Sequence, residues 1–207
     1  MKTYPIMLNV EARLAVVVGG GAVGLRKVHS LRQAGARVRL VAPRLDDTSD
    51  LEQVEVVQAP YQAGHLNGAS IVFACTDDRE LNSRIARDAR AAGAWVNAAD
   101  QPEDCDFFVP AVVGQGPVQI AIGTGGASPA LAAALKETIA SALPEAVGPY
   151  AEALADLRER LQATVADTRL RCSVLRRLVE QGGYETFRCG GAEALSQLLD
   201  KLLKDLK

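Results

Sequence analysis

One stretch near the start of the chain restricts the fold more than any other: Val16-Val17-Val18-Gly19-Gly20-Gly21-Ala22-Val23-Gly24. A valine-rich apolar run over residues 14–18 leads into glycines spaced G-x-G-x-x-G at Gly19, Gly21 and Gly24, and a helical pattern follows over residues 22–34. Each glycine has its own task in such a loop. The first permits the tight turn, the second lets backbone approach a pyrophosphate, and the third lets the helix pack close to the sheet. The helix start adds unbonded N–H groups and the positive end of a dipole, which favour phosphate charge. Between a strand and a helix the motif predicts a dinucleotide site lined by Gly19, Gly21, Ala22, Val23 and Gly24.

The alternation continues. Short apolar strands are expected over residues 38–41, 54–57, 70–74 and 95–97, with a helix before the last of them. Leu81, Ile85 and Ala89 give that helix a buried stripe, and Asp77 with Glu80 three residues on reads as its capping box. Apolar strands separated by helices predict an α/β fold, a Rossmann-type parallel sheet with helices on both faces. Past residue 110 the pattern changes. Residues 118–122 read as a further strand. Gly123 to Pro129 follows, with Ser128 as N-cap and Pro129 as first residue of an alanine-rich helix to Leu143. From Tyr150 on the chain reads as helical. Leu154, Leu157, Leu161 and Val165 form one stripe, Leu170, Val174 and Leu178 a second, and Leu195, Leu198, Leu199, Leu202 and Leu206 a last one. The expected division is a dinucleotide-binding domain over residues 1–112, a small middle segment over 113–149 and an all-helical domain over 150–207.

Composition narrows the chemistry. Lys and Arg number 23 against 25 Asp and Glu, a net charge of −2, which argues against a nucleic-acid binder. No apolar run approaches the roughly 18 residues of a membrane span, and no signal peptide is visible, so a cytoplasmic protein is expected. Four scattered cysteines and two histidines offer no conventional metal site.

In a doubly wound sheet ligands lie at the carboxyl ends of the strands. Thr76, after the fourth strand, is therefore either beside the nicotinamide half of a dinucleotide or a helix-start hydroxyl. The second strand lacks the usual terminal acid. Pro43 and Arg44 stand there instead, so Arg44 either meets a 2′-phosphate or is solvated while Asp46 or Asp47 reaches the ribose. Asp100, after the fifth strand, is either a turn former or a catalytic carboxylate. Gly125 to Ser128, a glycine turn feeding a helix start, forms a second anion cradle and suggests an anionic substrate.

These blocks in this order resemble the precorrin-2 dehydrogenase family, which occurs alone or as the N-terminal module of siroheme synthase. The resemblance rests on Tyr4-Pro5-Ile6, the first glycine loop with Arg26-Lys27, Gly35-Ala36, and Ala74 to Asp78 with Asn82. It rests most specifically on Val96-Asn97 with Asp100, Asp106 to Ala111, and Thr124 to Leu131. It implies NAD as hydride acceptor, precorrin-2 as substrate and sirohydrochlorin as product. It implies a homodimer built through the middle segment, with no nucleic acid or membrane as partner. Asp100 matches the family's catalytic aspartate, and Asn97, Gly125, Gly126 and Ser128 fall in its substrate region. Some members also insert Fe²⁺, for which this chain has few ligands. Two other readings stand beside it: an NAD(H)-sensing module without catalysis, and a chelatase with secondary dehydrogenase activity.

Overall fold

The computed structural model describes residues 2–205. They form two compact units, one spanning Tyr4–Val109 and the other built by the chain from Pro110 on. The first contains a five-stranded sheet of β1 (Leu14–Val18), β2 (Arg37–Val41), β3 (Val54–Val57), β4 (Ile71–Ala74) and β5 (Trp95–Ala98). Every pairing is parallel, in the order β3-β2-β1-β4-β5. All five residues of β1 are buried, because a central strand covered on both faces needs apolar side chains at every position. On one face α1 (Ala22–Gln33) packs Val28 and Leu31 against Ala15, Val17, Leu40 and Phe73. On the other α2 (Arg79–Ala91) packs Ile85, Ala86 and Ala89 against Val16, Val72, Val96 and Ala98. The chain runs from β1 outward to β2 and from β4 outward to β5. The topological switch point therefore lies between β1 and β4, directly above the glycine loop.

One cap differs from expectation. The N-cap of α2 is Asp78, not Asp77; its carboxylate accepts from Leu81 N at 3.0 Å. Thr76 is the cause. Its hydroxyl accepts from Asp78 N, which closes a turn over residues 76–78 and delays the first helical residue to Arg79. Glu80 then falls at the second helical position, and no capping box forms.

In the second unit the strand expected at residues 118–122 is β7 (Val118–Ile122), paired antiparallel with β6 (Ala111–Gln115). β6 is hidden in the sequence because Gly114 interrupts it. Glycine is required there: a Cβ would stand 2.1 Å from the Val118 carbonyl oxygen. Helices follow: α3 (Pro129–Ala142), α4 (Val147–Thr164), α5 (Thr168–Glu180) and α6 (Gly183–Asp205), the last broken at Gly191, whose φ is +67°. α3 begins as expected, with the Ser128 hydroxyl accepting from Leu131 N and Pro129 at the first position. α4 starts three residues ahead of Tyr150, with Pro149 in its first turn, where no N–H is needed. The expected stripes meet in one core of Leu157, Leu161, Val174, Leu178, Leu195, Leu199 and Leu202. Leu206 lies outside the described residues.

Candidate functional site

The glycine loop is shaped by close backbone approaches. Gly19 sits at φ +119°, and a Cβ on it would stand 2.4 Å from the Cys75 carbonyl oxygen. A Cβ on Gly20 would meet the Arg44 carbonyl oxygen at 2.3 Å, and one on Gly24 the Gly19 carbonyl oxygen at 2.0 Å. Gly24 thus lets α1 close on the loop, the role its spacing predicts. Gly21 is different. It is the N-cap of α1, at an ordinary φ of −80° with no side-chain cap, and a Cβ there would touch only Asp46 Oδ2, at 3.5 Å. Its smallness is not used by the protein itself and leaves room for a ligand. The N–H groups of Ala22, Val23 and Gly24 precede the first helical bond, from Leu25 N to Gly21 O, and are open to an anion. A dinucleotide pyrophosphate fits this cradle.

The segment after β2 folds back onto the loop. Gly19 N donates to Val41 O at 2.9 Å and Asp46 N to Gly20 O at 3.1 Å. Pro43 and Arg44 are exposed at the carboxyl end of β2. Asp47 is occupied by Ser49, accepting from both its N–H and its hydroxyl, which draws its carboxyl below the usual range. Of the two acids left open by the sequence, Asp46 is the one whose carboxylate reaches Gly21.

Thr76 is held by Asn82, which is only 2% exposed. Asn82 Oδ1 accepts from Thr76 N at 3.1 Å and from its hydroxyl at 2.7 Å, while Nδ2 donates to Thr76 O at 3.0 Å. The hydroxyl is therefore committed to the turn, and it is the Cys75–Thr76 backbone that abuts Gly19. The preceding Cys75 thiol is pushed up to about 11 by burial, against the pull of Lys27 and Arg26, and stays protonated.

Asp100 follows β5 at the same edge of the sheet. It is exposed, and its φ of +56° is a left-handed conformation, uncommon outside glycine. The loop around it is tied down. Cys105 Sγ accepts from Ala98 N at 3.2 Å and donates towards Ala98 O and Gln101 O. Burial raises its pKa and so preserves the proton it donates. Asn97 Nδ2 donates to Phe107 O at 2.9 Å, and its Oδ1 takes no bond from the described residues. Asp106 accepts from Val96 N and pairs with Arg90. Gln101, 3% exposed, donates to Arg79 O, Ser83 Oγ and Asp104, tying the loop to the start of α2. The Cys105 and Gln101 ties were missed in the sequence, where a lone thiol and a loop glutamine carry no signal.

In the other unit Gly125 and Gly126 take φ of +63° and +83° before Ser128. Thr124 clasps the turn: its hydroxyl accepts from Ser128 N and donates to Ser128 O. Gly125 and Gly126 are exposed and Ser128 half-buried. A concavity of about 500 Å³ lies elsewhere, between His29, Arg32, Arg37 and Asp50 at the amino ends of the strands. No three His, Cys, Asp or Glu residues come together as a metal centre among the described residues, and none of their helices is long and apolar enough to cross a membrane.

Comparison with known proteins agrees with this geometry. The chain is 34% identical to siroheme synthase of Nitrosococcus oceani over 99% of its own length and 44% of that protein. It is 37% identical to siroheme synthase of Gluconacetobacter diazotrophicus over 97% of its length and 44% of that protein. The chain thus spans under half the length of these relatives. Its fold matches the solved structure of SirC, a precorrin-2 dehydrogenase, with a TM-score of 0.75 at 23% identity, covering 96% of this chain and all of that one. Residues 115–142 match the model of the sirohaem biosynthesis protein central domain. Residues 6–111, more than half of the chain, match the NAD(P)-binding family NAD_binding_7, and the chain belongs to that family.

Proposed function

We propose that the chain oxidises precorrin-2 to sirohydrochlorin with NAD⁺. The observation that carries this reading is the placement of a dinucleotide cradle, Gly19 to Gly24, and a constrained carboxylate, Asp100, at the carboxyl edge of one sheet. The relatives named siroheme synthase and the fold shared with a precorrin-2 dehydrogenase support the substrate. Asp46 beside Gly21 supports NAD over NADP, because its carboxylate would repel a 2′-phosphate.

A bound nicotinamide dinucleotide supplies the hydride acceptor. The protein's own part is to hold and to deprotonate. Gly21 and the N–H groups of Ala22 to Gly24 hold the pyrophosphate, and Pro43, Arg44 and Asp46 border the adenosine side. Asp100 takes the proton lost from the macrocycle on an exposed carboxylate that makes no hydrogen bond with the described residues. Asn97 Oδ1 accepts from a substrate N–H, and the turn at Gly125, Gly126 and Ser128 is a separate candidate anion site within its own unit. Anaerobic incubation with precorrin-2 and NAD⁺, followed by NADH absorbance, tests the reading. Wild type should form NADH, and Asp100→Ala should lose about 10²- to 10⁴-fold in rate with NAD⁺ affinity unchanged. Near-normal turnover in that variant refutes the assignment.

The protein is further proposed to act as a homodimer through β6, β7 and α3. None of the residues of α3 is buried, and Leu131, Leu135 and, on β6, Val112 are 50%, 40% and 43% exposed. A segment this small and this apolar needs a partner surface. Sedimentation should give a dimer that Leu131→Glu with Leu135→Glu dissociates; an unchanged mass rejects the interface.

A further inference from the structure

Lys27, in the second turn of α1, is half-buried and makes no hydrogen bond or ion pair with any described residue. Other cations of the same unit are paired: Arg32 with Asp50, Arg39 with Glu55, Arg90 with Asp106. Lys27 Nζ instead stands over the ring of Phe73, 5.6 Å from its centroid. Phe73 is paired in register with Asn97, so the two side chains share one face of the sheet. Phe107 completes the group. Its ring packs edge-on against Phe73 at 5.4 Å, and its carbonyl oxygen accepts from Asn97. Lys27 therefore lies on the same face and at the same edge as Asn97.

Among the described residues no anion pairs with Lys27. Burial pulls Lys27 below the usual lysine range, and its titratable neighbours are a protonated thiol, Cys75, and a second cation, Arg26. An aromatic face offsets only part of the cost of desolvating an ammonium. The Lys27 ammonium stands over the Phe73 ring, and the Gly21 cap lies six residues, about 9 Å along the helix axis, before it. Building on the proposed reaction, we infer that Lys27 is a substrate-carboxylate anchor: its ammonium, beside Phe73 and Phe107, binds one acetate or propionate arm of the tetrapyrrole.

The test titrates the full chain with sirohydrochlorin under anaerobic conditions, following quenching of Trp95, the only tryptophan of the chain. Lys27→Met keeps the apolar contact with Phe73 and removes the charge, while Lys27→Arg keeps the charge. Loss of one charge-assisted contact should weaken binding about tenfold in Lys27→Met. Lys27→Arg should bind nearly as wild type, and NAD⁺ affinity should be unchanged in both. The inference is overturned if Lys27→Met binds as tightly as wild type, which would make Lys27 a cover for Phe73. It is equally overturned if NAD⁺ affinity falls in parallel, or if wild type binds no sirohydrochlorin. Failure of wild type to form NADH from precorrin-2 would instead refute the proposed reaction, and the titration would still decide Lys27.

Discussion

Replacing Asn82 by alanine removes the three hydrogen bonds that hold Thr76. The site is nearly sealed, since Asn82 is 2% exposed. Water cannot simply replace the lost partners, and the Thr76 N–H and carbonyl are left unsatisfied beside the core. At about 1 kcal/mol per bond the loss is about 3 kcal/mol. That is a large share of the roughly 5–15 kcal/mol that keeps a domain folded. Asn82→Asp retains the acceptor and turns the donor against the Thr76 carbonyl, so it should be at least as damaging. Function should suffer with stability, because the Cys75–Thr76 backbone is what Gly19 packs against. Urea unfolding of the full chain, read through Trp95, reports on the unit that contains the defect, since Trp95 lies in β5. A shift below about 1 kcal/mol at an unchanged slope would show that Asn82 does not hold the turn. The structural account of Thr76 would then be wrong.

Gly20→Ala and Gly21→Ala should separate packing from ligand binding. The first forces a Cβ to 2.3 Å from the Arg44 carbonyl oxygen and should destabilise the protein, whereas the second should fold with wild-type stability and still lose dinucleotide affinity by at least about tenfold. Equal melting temperatures for the two variants would contradict this. Asp46→Ser should shift the affinity ratio towards NADP⁺ by about tenfold, worth about 1.4 kcal/mol; an unchanged ratio removes Asp46 from the adenosine side. Cys75 carries a pH signature: folded, its pKa is about 11, above the ordinary thiol value, so between pH 9 and 11 the unfolded chain has released a proton that the folded one keeps. Its contribution is complete below pH 9 and is lost as pH rises through that window, by on the order of 2 kcal/mol. The stability difference between wild type and Cys75→Ala should decline there, and a flat difference would contradict the burial of the thiol.

The sheet was legible because its signal is local. Each strand is a short apolar run next to a periodic helix, and burial on both faces makes β1 uniformly apolar. The glycine loop was legible for a similar reason: steric demands at Gly19 and Gly24 and an open position at Gly21 fall at fixed spacing. The cap of α2 was misread because Asp77 and Asp78 are equally good caps by type, and the choice between them depends on Asn82, four to five positions on and folded back. β6 was passed over because Gly114, which the hairpin requires, looks like an interruption in one dimension. Lys27 shows the same limit: nothing in Arg26-Lys27 distinguishes a solvated pair from one cation held over Phe73, because the ring arrives from a strand far along the chain.

Asp100 illustrates why the edge of the sheet, rather than net charge, organises the site. A left-handed aspartate costs about 1–3 kcal/mol and persists only if its surroundings fix it. Here neutral side chains make the ties. Cys105 grips Ala98 and Gln101, Asn97 grips Phe107, and Gln101 reaches Arg79 and Ser83. The result leaves the carboxylate exposed and without a partner among the described residues, while Arg79 and Arg90 pair with Glu103 and Asp106. An arginine partner would hold the carboxylate as a weak base and block its oxygens. The glycine loop follows the same logic, offering N–H groups in place of charged side chains to an anion. A net charge of −2 therefore says little about the affinity of this chain for anions, since the groups that meet them carry no formal charge. Lys27, a full charge kept half-buried among aromatic rings, is the exception that gives the Asn97 side of the crevice its own preference for a carboxylate.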